Sequence, residues 1–257
     1  MNKLKELIKY FELLKTSVHK EFRGKYKKSV LGVLWSFLNP LFQLIIYAVV
    51  FSFVLRQQID NYVCFLIVAL IPWTFFTSSI NQCAVSILAN FNLIKKVYFP
   101  REILPISTVT SNCISFLISL LLVFVFIIFT GVGFSASILL LPLIILIQYF
   151  IILGVGLLIS AVTVYFRDLQ HIVLVLLNML FYLTPIIYPI DFIPNNYLIF
   201  FKLNPMFHVI NVYRDILYYQ RIPDLLSLGI LLVTSVVLFI ISYFVFAKLE
   251  KKFAEEL

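Results

Sequence analysis

Long uncharged runs, broken by short charged clusters, organise this chain. Residues 29–55 and 103–166 contain no Lys, Arg, His, Asp or Glu. At ~1.5 Å per residue, about 20 apolar residues cross the ~30 Å hydrocarbon core of a bilayer. The runs predict spans at 34–55, 62–82, 103–130, 137–164, 171–190 and 225–247. The long second run holds two of these. Gly131–Val132–Gly133 is its one strong turn signal, and Arg101 and Arg167 at its ends both favour the same side of the membrane. The predicted class is therefore an all-α membrane protein of six transmembrane helices, forming one domain over residues 1–257.

Two segments fit neither a span nor an ordinary loop. In residues 1–28, Leu4, Leu7, Ile8, Phe11, Leu14 and Val18 recur at helical spacing, while Lys3, Lys5, Lys9 and Lys15 lie off that face. That pattern predicts an amphipathic interface helix on the inner leaflet, its lysines near anionic lipid headgroups. Residues 191–224 are too aromatic for a solvated loop, with Phe192, Tyr197, Phe200, Phe201, Phe207 and Tyr213 punctuated by Pro194, Pro205 and Pro223. Short helices that re-enter the membrane or lie in its outer interface are expected there.

Composition agrees: 62% of the residues are hydrophobic and 12% charged, against roughly 25% charged in soluble domains. No apolar stretch with a small-residue cleavage site opens the sequence, so the first span is expected to direct insertion itself. The net charge of +8 changes the picture only through its placement. With both termini cytoplasmic, sixteen Lys and Arg fall inside, leaving Arg56, Lys202, Arg214 and Arg221 outside. That is the positive-inside bias of an inner-membrane protein, and it argues against a nucleic-acid partner.

Catalysis finds little support. His19, His171 and His208 are far apart, and Cys64, Cys83 and Cys113 lack metal-ligand spacing and read as buried thiols. No carboxylate lies well inside a span, which disfavours proton or sodium coupling and intramembrane proteolysis. No phosphate-binding loop is present, so energy for any transport must come from another chain. Polar stripes remain. Ser36, Asn39, Gln43 and Tyr47 fall within about 80° on the first span, and His171, Asn178, Phe181, Tyr182 and Pro185 share a face of the fifth. Such stripes serve either inter-helix hydrogen bonding or the lining of a path for a polar, sugar-like substrate. Ser107, Ser111, Ser115 and Ser119, at steps of four, suit close helix packing, as do Gly156 and Ser160.

Local motifs carry a family resemblance. They are L-G-V-L-W-S-F-L-N-P at Leu31–Pro40, I-P-W-T-F-F-T-S-S at Ile71–Ser79, and K-V-Y-F-P-R-E-I-L-P at Lys96–Pro105. Further on come V-Y-F-R-D-L at Val164–Leu169, L-T-P-I-I-Y-P at Leu183–Pro189, and N-P-M at Asn204–Met206. In this order and at these places, the chain resembles the ABC type-2 permeases that export O-antigen, teichoic acid or capsular glycans. The resemblance implies a homodimer working with two copies of a separate ATPase subunit, which binds ATP and magnesium. It implies a lipid-linked glycan as cargo in the bacterial cytoplasmic membrane, and no cofactor in this chain. It assigns residues 88–101, with Lys95, Lys96 and Arg101, to docking on the ATPase. Ser36, Gln43, Tyr47, Asn178, Phe181 and Tyr182 become the substrate path, and Tyr188, Phe200, Phe201 and Phe207 an outer gate. Asn39 stands where Trp is common in that family. Two other readings stay open: an exporter of drugs or other small molecules with the same fold, and a membrane glycan or lipid transferase. The latter has only Asp191, His208 and Asp215 as candidate chemistry.

Overall fold

A computed structural model describes residues 10–27, 29–54 and 59–253, and the ordered elements among them are helical. In chain order they are α1 (Phe11–Tyr26), α2 (Trp35–Ala48), α3 (Tyr62–Ala89), α4 (Phe91–Lys96), α5 (Ile103–Thr130), α6 (Leu141–Tyr165), α7 (Leu169–Tyr182), α8 (Leu198–Lys202), α9 (Pro205–Leu217) and α10 (Leu225–Leu249). Among the described residues, five stretches are long and apolar enough to cross a membrane: Gly32–Phe51, Tyr62–Ala89, Ile103–Thr130, Ala136–Tyr165 and Leu225–Lys252. The interface-helix positions Leu4, Leu7 and Ile8 lie outside the described residues.

Helix α3 is the central post. Its apolar window is 78% buried, against 28% for α5 and 22% for the α10 stretch, so the outer helices leave much of their apolar surface uncovered by this chain. Lipid tails are as apolar as Leu, and helices associate in them through close packing and hydrogen bonds rather than hydrophobic exclusion. Both are visible. Phe75 of α3 stacks on Phe116 of α5 with ring centroids 4.9 Å apart. Gln148 of α6 donates to the Pro72 carbonyl of α3 at 2.8 Å and accepts from the Tyr213 hydroxyl of α9 at 2.8 Å, all three groups being buried.

Small residues set the spacing between helices. A Cβ added at Gly156 would lie 2.9 Å from the Cys83 Sγ. Gly156→Ala is therefore expected to destabilise the fold, although Ala is the better helix former by roughly 1 kcal/mol. Overpacking of this kind costs about 1–3 kcal/mol. Adding Cys83→Ala, which removes the sulfur, should restore most of the melting temperature of the purified protein. If the second change made no difference, the steric explanation would be wrong.

Helix ends follow local chemistry. Gly131 and Gly133, at φ +71° and +81°, make the turn between α5 and α6 that the sequence marked. The Asp224 carboxylate accepts from the Ser227 backbone N–H at 3.0 Å and caps α10, and these hydrogen bonds hold its carboxyl below the ordinary range. Asn204 accepts from Met206 N–H at 3.0 Å, and Pro205 takes the first helical position, which accounts for the N-P-M motif.

The fifth expected span differs most. The sequence reading runs 171–190, but α7 ends at Tyr182 after 14 residues, about 21 Å. Thr184 precedes Pro185 and is pushed out of the helical region, and Pro185 lacks the N–H a further turn needs. Residues 184–187 continue as a buried irregular segment. At the other end of the chain's middle, α3 runs without interruption to Ala89, beyond the expected end at 82.

Candidate substrate path and coupling surface

The irregular segment after α7 leaves backbone carbonyls without helical partners, a state that hydrocarbon does not tolerate unless protein groups supply donors. Arg214 of α9, only 2% exposed, supplies them. Its guanidinium donates to the carbonyls of Pro185 and Ile186 and lies 3.6 Å from the centre of the Phe65 ring. The Tyr62 hydroxyl donates to the Ile187 carbonyl at 2.9 Å. Asn204 Nδ2 donates to Thr184 Oγ1 at 2.8 Å, so the L-T-P and N-P-M motifs meet in space. Arg214, counted in the sequence with the outer-side charges, is buried because its fork of donors fits adjacent carbonyls.

Beside this broken helix, α2 and α7 face each other across a cavity of about 330 Å³. Gln43 and Tyr47 of α2 and Asn178, Phe181 and Tyr182 of α7 all line it, so these parts of the two sequence stripes converge, while His171 and Pro185 do not line it. Their environments differ. Phe181 is 9% exposed, stacked on Tyr47 at 5.5 Å and tilted against Trp73 at 6.0 Å, whereas Tyr182 is 65% exposed. Helix α3 supplies a wall that the sequence reading passed over: Thr74, Thr77, Ser78 and Asn81. Their spacing is a helical stripe, and that was the available signal.

Ser36 lies elsewhere. It lines a second cavity of about 430 Å³ on the other side of Thr74 and Ser78, together with Asn39, Lys25 and Asn112. The two cavities share those α3 hydroxyl residues, so the α2 stripe runs from one into the other. The serines of α5 divide likewise. Ser107 and Ser111 are buried in packing, Ser115 and Ser119 line the larger cavity, and Ser119 Oγ donates to the Ser36 carbonyl at 2.8 Å.

The segment 88–101 holds α4 and an extended stretch. Lys95 and Lys96 are exposed at the end of α4, with Lys95 resting 4.1 Å above the Phe91 ring, and Tyr98 is exposed beside them. Arg101 is half-buried and committed: it donates to the Glu250 carbonyl and faces the Phe253 ring. Helix α1 packs along α5, and its Leu13 and Leu14 join Phe99, Ile103 and Leu104 in a small apolar cluster. Of the residues assigned to the outer gate, Phe200 is exposed, Phe201 and Tyr188 are half-buried, and Phe207 is in the core. Among the described residues no His, Cys, Asp and Glu cluster is able to hold a metal.

Comparison with known proteins places this arrangement. The family model for ABC-2 type transporters matches residues 12–218. The chain belongs to the ABC-2 type transporter family. Among curated relatives of this ABC-2 permease, the O-antigen export system permease protein RfbA of Myxococcus xanthus is 36% identical over 256 residues, covering 99% of this chain and 98% of the relative. The RfbA permease of Klebsiella pneumoniae is 36% identical over 246 residues, with 95% of each chain covered. The polysialic acid transport protein KpsM of Escherichia coli is 29% identical over 244 residues, covering 90% of this chain and 92% of its own. The family resemblance drawn from the six sequence motifs therefore holds, and the chain is a multi-pass membrane permease.

Proposed function

We propose that this permease moves a lipid-linked polysaccharide across the bacterial cytoplasmic membrane as a homodimer, driven by two copies of a separate ATPase subunit. The observation carrying the reading is the convergence of Gln43, Tyr47, Asn178 and Tyr182 on one polar, aromatic-walled cavity in a chain related to O-antigen and polysialic acid exporters. Amides hydrogen-bond sugar hydroxyls, and aromatic faces hold a sugar ring without fixing it in one register. A cavity of 330 Å³ is at the small end of ligand sites, too little for a hydrated polymer within one subunit. Helix α2 buries only 11% of its apolar window, and α7 exposes Leu174, Val175, Leu176 and Met179. These are the faces offered to the second copy.

In this reading α7 and the Arg214-held segment 183–189 complete a sixth crossing. Both termini then face the cytoplasm, and α8 and α9 dip into the outer leaflet as a gate. The exposed end of α4, with Lys95, Lys96 and Tyr98, docks on the ATPase, while Arg101 braces that end against the C-terminal helix.

The test separates docking from folding. Lys95→Glu with Lys96→Glu should leave expression and melting temperature unchanged, because both side chains are exposed. Glycan-stimulated ATP hydrolysis by the reconstituted complex should fall at least tenfold, and the permease alone should hydrolyse none. Full ATP-driven transfer by the double variant would remove α4 from the coupling role.

A further inference from the structure

We propose that the cavity behind Lys25 binds the phosphate headgroup of a lipid standing in the cytoplasmic leaflet. This site adjoins the α2–α7 cavity, sharing the Thr74 and Ser78 wall with it, and is argued from the geometry of its Lys25 end. Lys25, at the end of α1, points its ammonium into the cavity of about 430 Å³ and donates to Asn112 Oδ1 at 2.8 Å. That neutral amide is its partner. Among the described residues no carboxylate is paired with it, and the cavity walls from α2, α3 and α5 carry no ionisable side chain.

The hydrogen bonds then run in a fixed direction. An ammonium has only donors, so Asn112 must present its oxygen to Lys25 and its nitrogen elsewhere. That nitrogen donates to Gln82 Oε1 at 3.0 Å and to the Thr108 carbonyl at 3.1 Å. Gln82 is left with both N–H groups for the cavity, beside the hydroxyls of Ser29 and Ser78. A half-buried cation with amide and hydroxyl donors, and no carboxylate among the cavity's lining residues, is the recognition chemistry of a phosphate group.

Depth fits a headgroup. Helix α5 has 28 residues, about 42 Å, so it overhangs a ~30 Å core by roughly 12 Å. Asn112 lies nine residues from its start, roughly 14 Å along, so with that overhang on the cytoplasmic side it stands where the hydrocarbon would begin. Trp35, Ile71 and Phe116 form the apolar remainder of the wall, suited to the first carbons of a lipid chain. Burial also pulls the Lys25 ammonium down to about 8 from 10.5, partly opposed by the Glu21 carboxylate on its own helix, and an anion in the cavity would hold it charged.

Two phosphate lipids share this chemistry, a bilayer glycerophospholipid and a polyprenyl diphosphate carrier. The full chain, purified in an uncharged maltoside detergent, would be titrated with short-chain phosphatidylglycerol, geranylgeranyl diphosphate, inorganic phosphate, and the headless controls diacylglycerol and geranylgeraniol. Trp35 lies in the wall, so its fluorescence reports occupancy. Saturable binding of at least one phosphate lipid is expected, and the stronger of the two names the source. Lys25→Gln should raise its half-saturating concentration ten- to hundredfold, the loss of one charge-assisted hydrogen bond of about 1.5–3 kcal/mol. Lys25→Arg should stay within a few-fold of the native protein, and Gln82→Leu should weaken binding with the melting temperature retained. Phosphatidylglycerol, whose charge is fixed, should bind less well as pH rises through about 8 and the ammonium is lost. Equal binding by Lys25→Gln, equal binding of the headless controls, or an equally strong response to inorganic phosphate would overturn the proposal. Failure of this proposal would leave glycan transfer through the α2–α7 cavity standing, since that reading does not need a lipid at Lys25.

Discussion

Arg214→Ala is expected to be among the most destabilising single substitutions at the described residues. It removes the donors to the Pro185 and Ile186 carbonyls and the cation resting on Phe65. Each buried acceptor left unpaired costs about 1–3 kcal/mol, and a desolvated cation–π contact about 2 kcal/mol. Some of this is offset, because a buried cation with no carboxylate partner carries its own desolvation cost. A net loss of roughly 3–5 kcal/mol follows, visible as a large drop in the melting temperature of the purified protein. Arg214→Lys should fall between, since an ammonium is a point donor and cannot serve two adjacent carbonyls in one fork. If Lys were fully equivalent to Arg, charge rather than carbonyl capture would be what matters at this position.

The second large effect separates neighbouring residues. Phe181→Ala empties a packed site between Tyr47 and Trp73, and should cost about 3–5 kcal/mol as other buried Phe truncations do. Tyr182→Ala removes a ring that is 65% exposed and leaves no packed void. Its melting temperature should therefore change little, while surface glycan falls severalfold because a stacking platform in the path is gone. The Tyr188 hydroxyl donates to the backbone carbonyl of Tyr182, so that bond survives the substitution. Normal glycan export by Tyr182→Ala would show that this face of α7 looks onto lipid. A large stability loss at Tyr182 would instead make it part of the packing.

What the sequence made legible is what period, charge and turn chemistry encode. Uncharged runs located the five long apolar stretches, the Gly131–Gly133 turn separated α5 from α6, and Asp224 marked the start of α10. The stripes on α2 and α7 were readable because both helices are otherwise apolar, so their amides stand out at one angle. The end of α7 was harder. Counting uncharged residues does not distinguish a helix from a buried irregular segment whose carbonyls are held by a residue 28 and 29 positions later.

Helix α3 hid its contribution for a different reason. It is apolar nearly all round as the central post, and Thr74, Thr77, Ser78 and Asn81 are weak polar signals within it. Arg214 looked like an outer-loop charge because loop counts carry no information on burial. Phe207, assigned to the outer gate, packs in the core, and its burial was not readable from composition. The Lys25–Asn112 contact joins residues 87 apart, and no periodicity along either helix points to the other.

The central claim is that this chain carries a lipid-linked glycan from the cytoplasmic to the outer leaflet. The most direct measurement is the leaflet distribution of that glycan in cells lacking the chain, with and without a plasmid copy of the wild type. Glycan in sealed inner-membrane vesicles of either orientation would be probed with an impermeant lectin. Without the chain, lipid-linked glycan should accumulate on the cytoplasmic face and vanish from the cell surface, and the plasmid copy should restore it. Unchanged surface glycan, or loss of the lipid-linked glycan itself on both faces, would contradict a transport role.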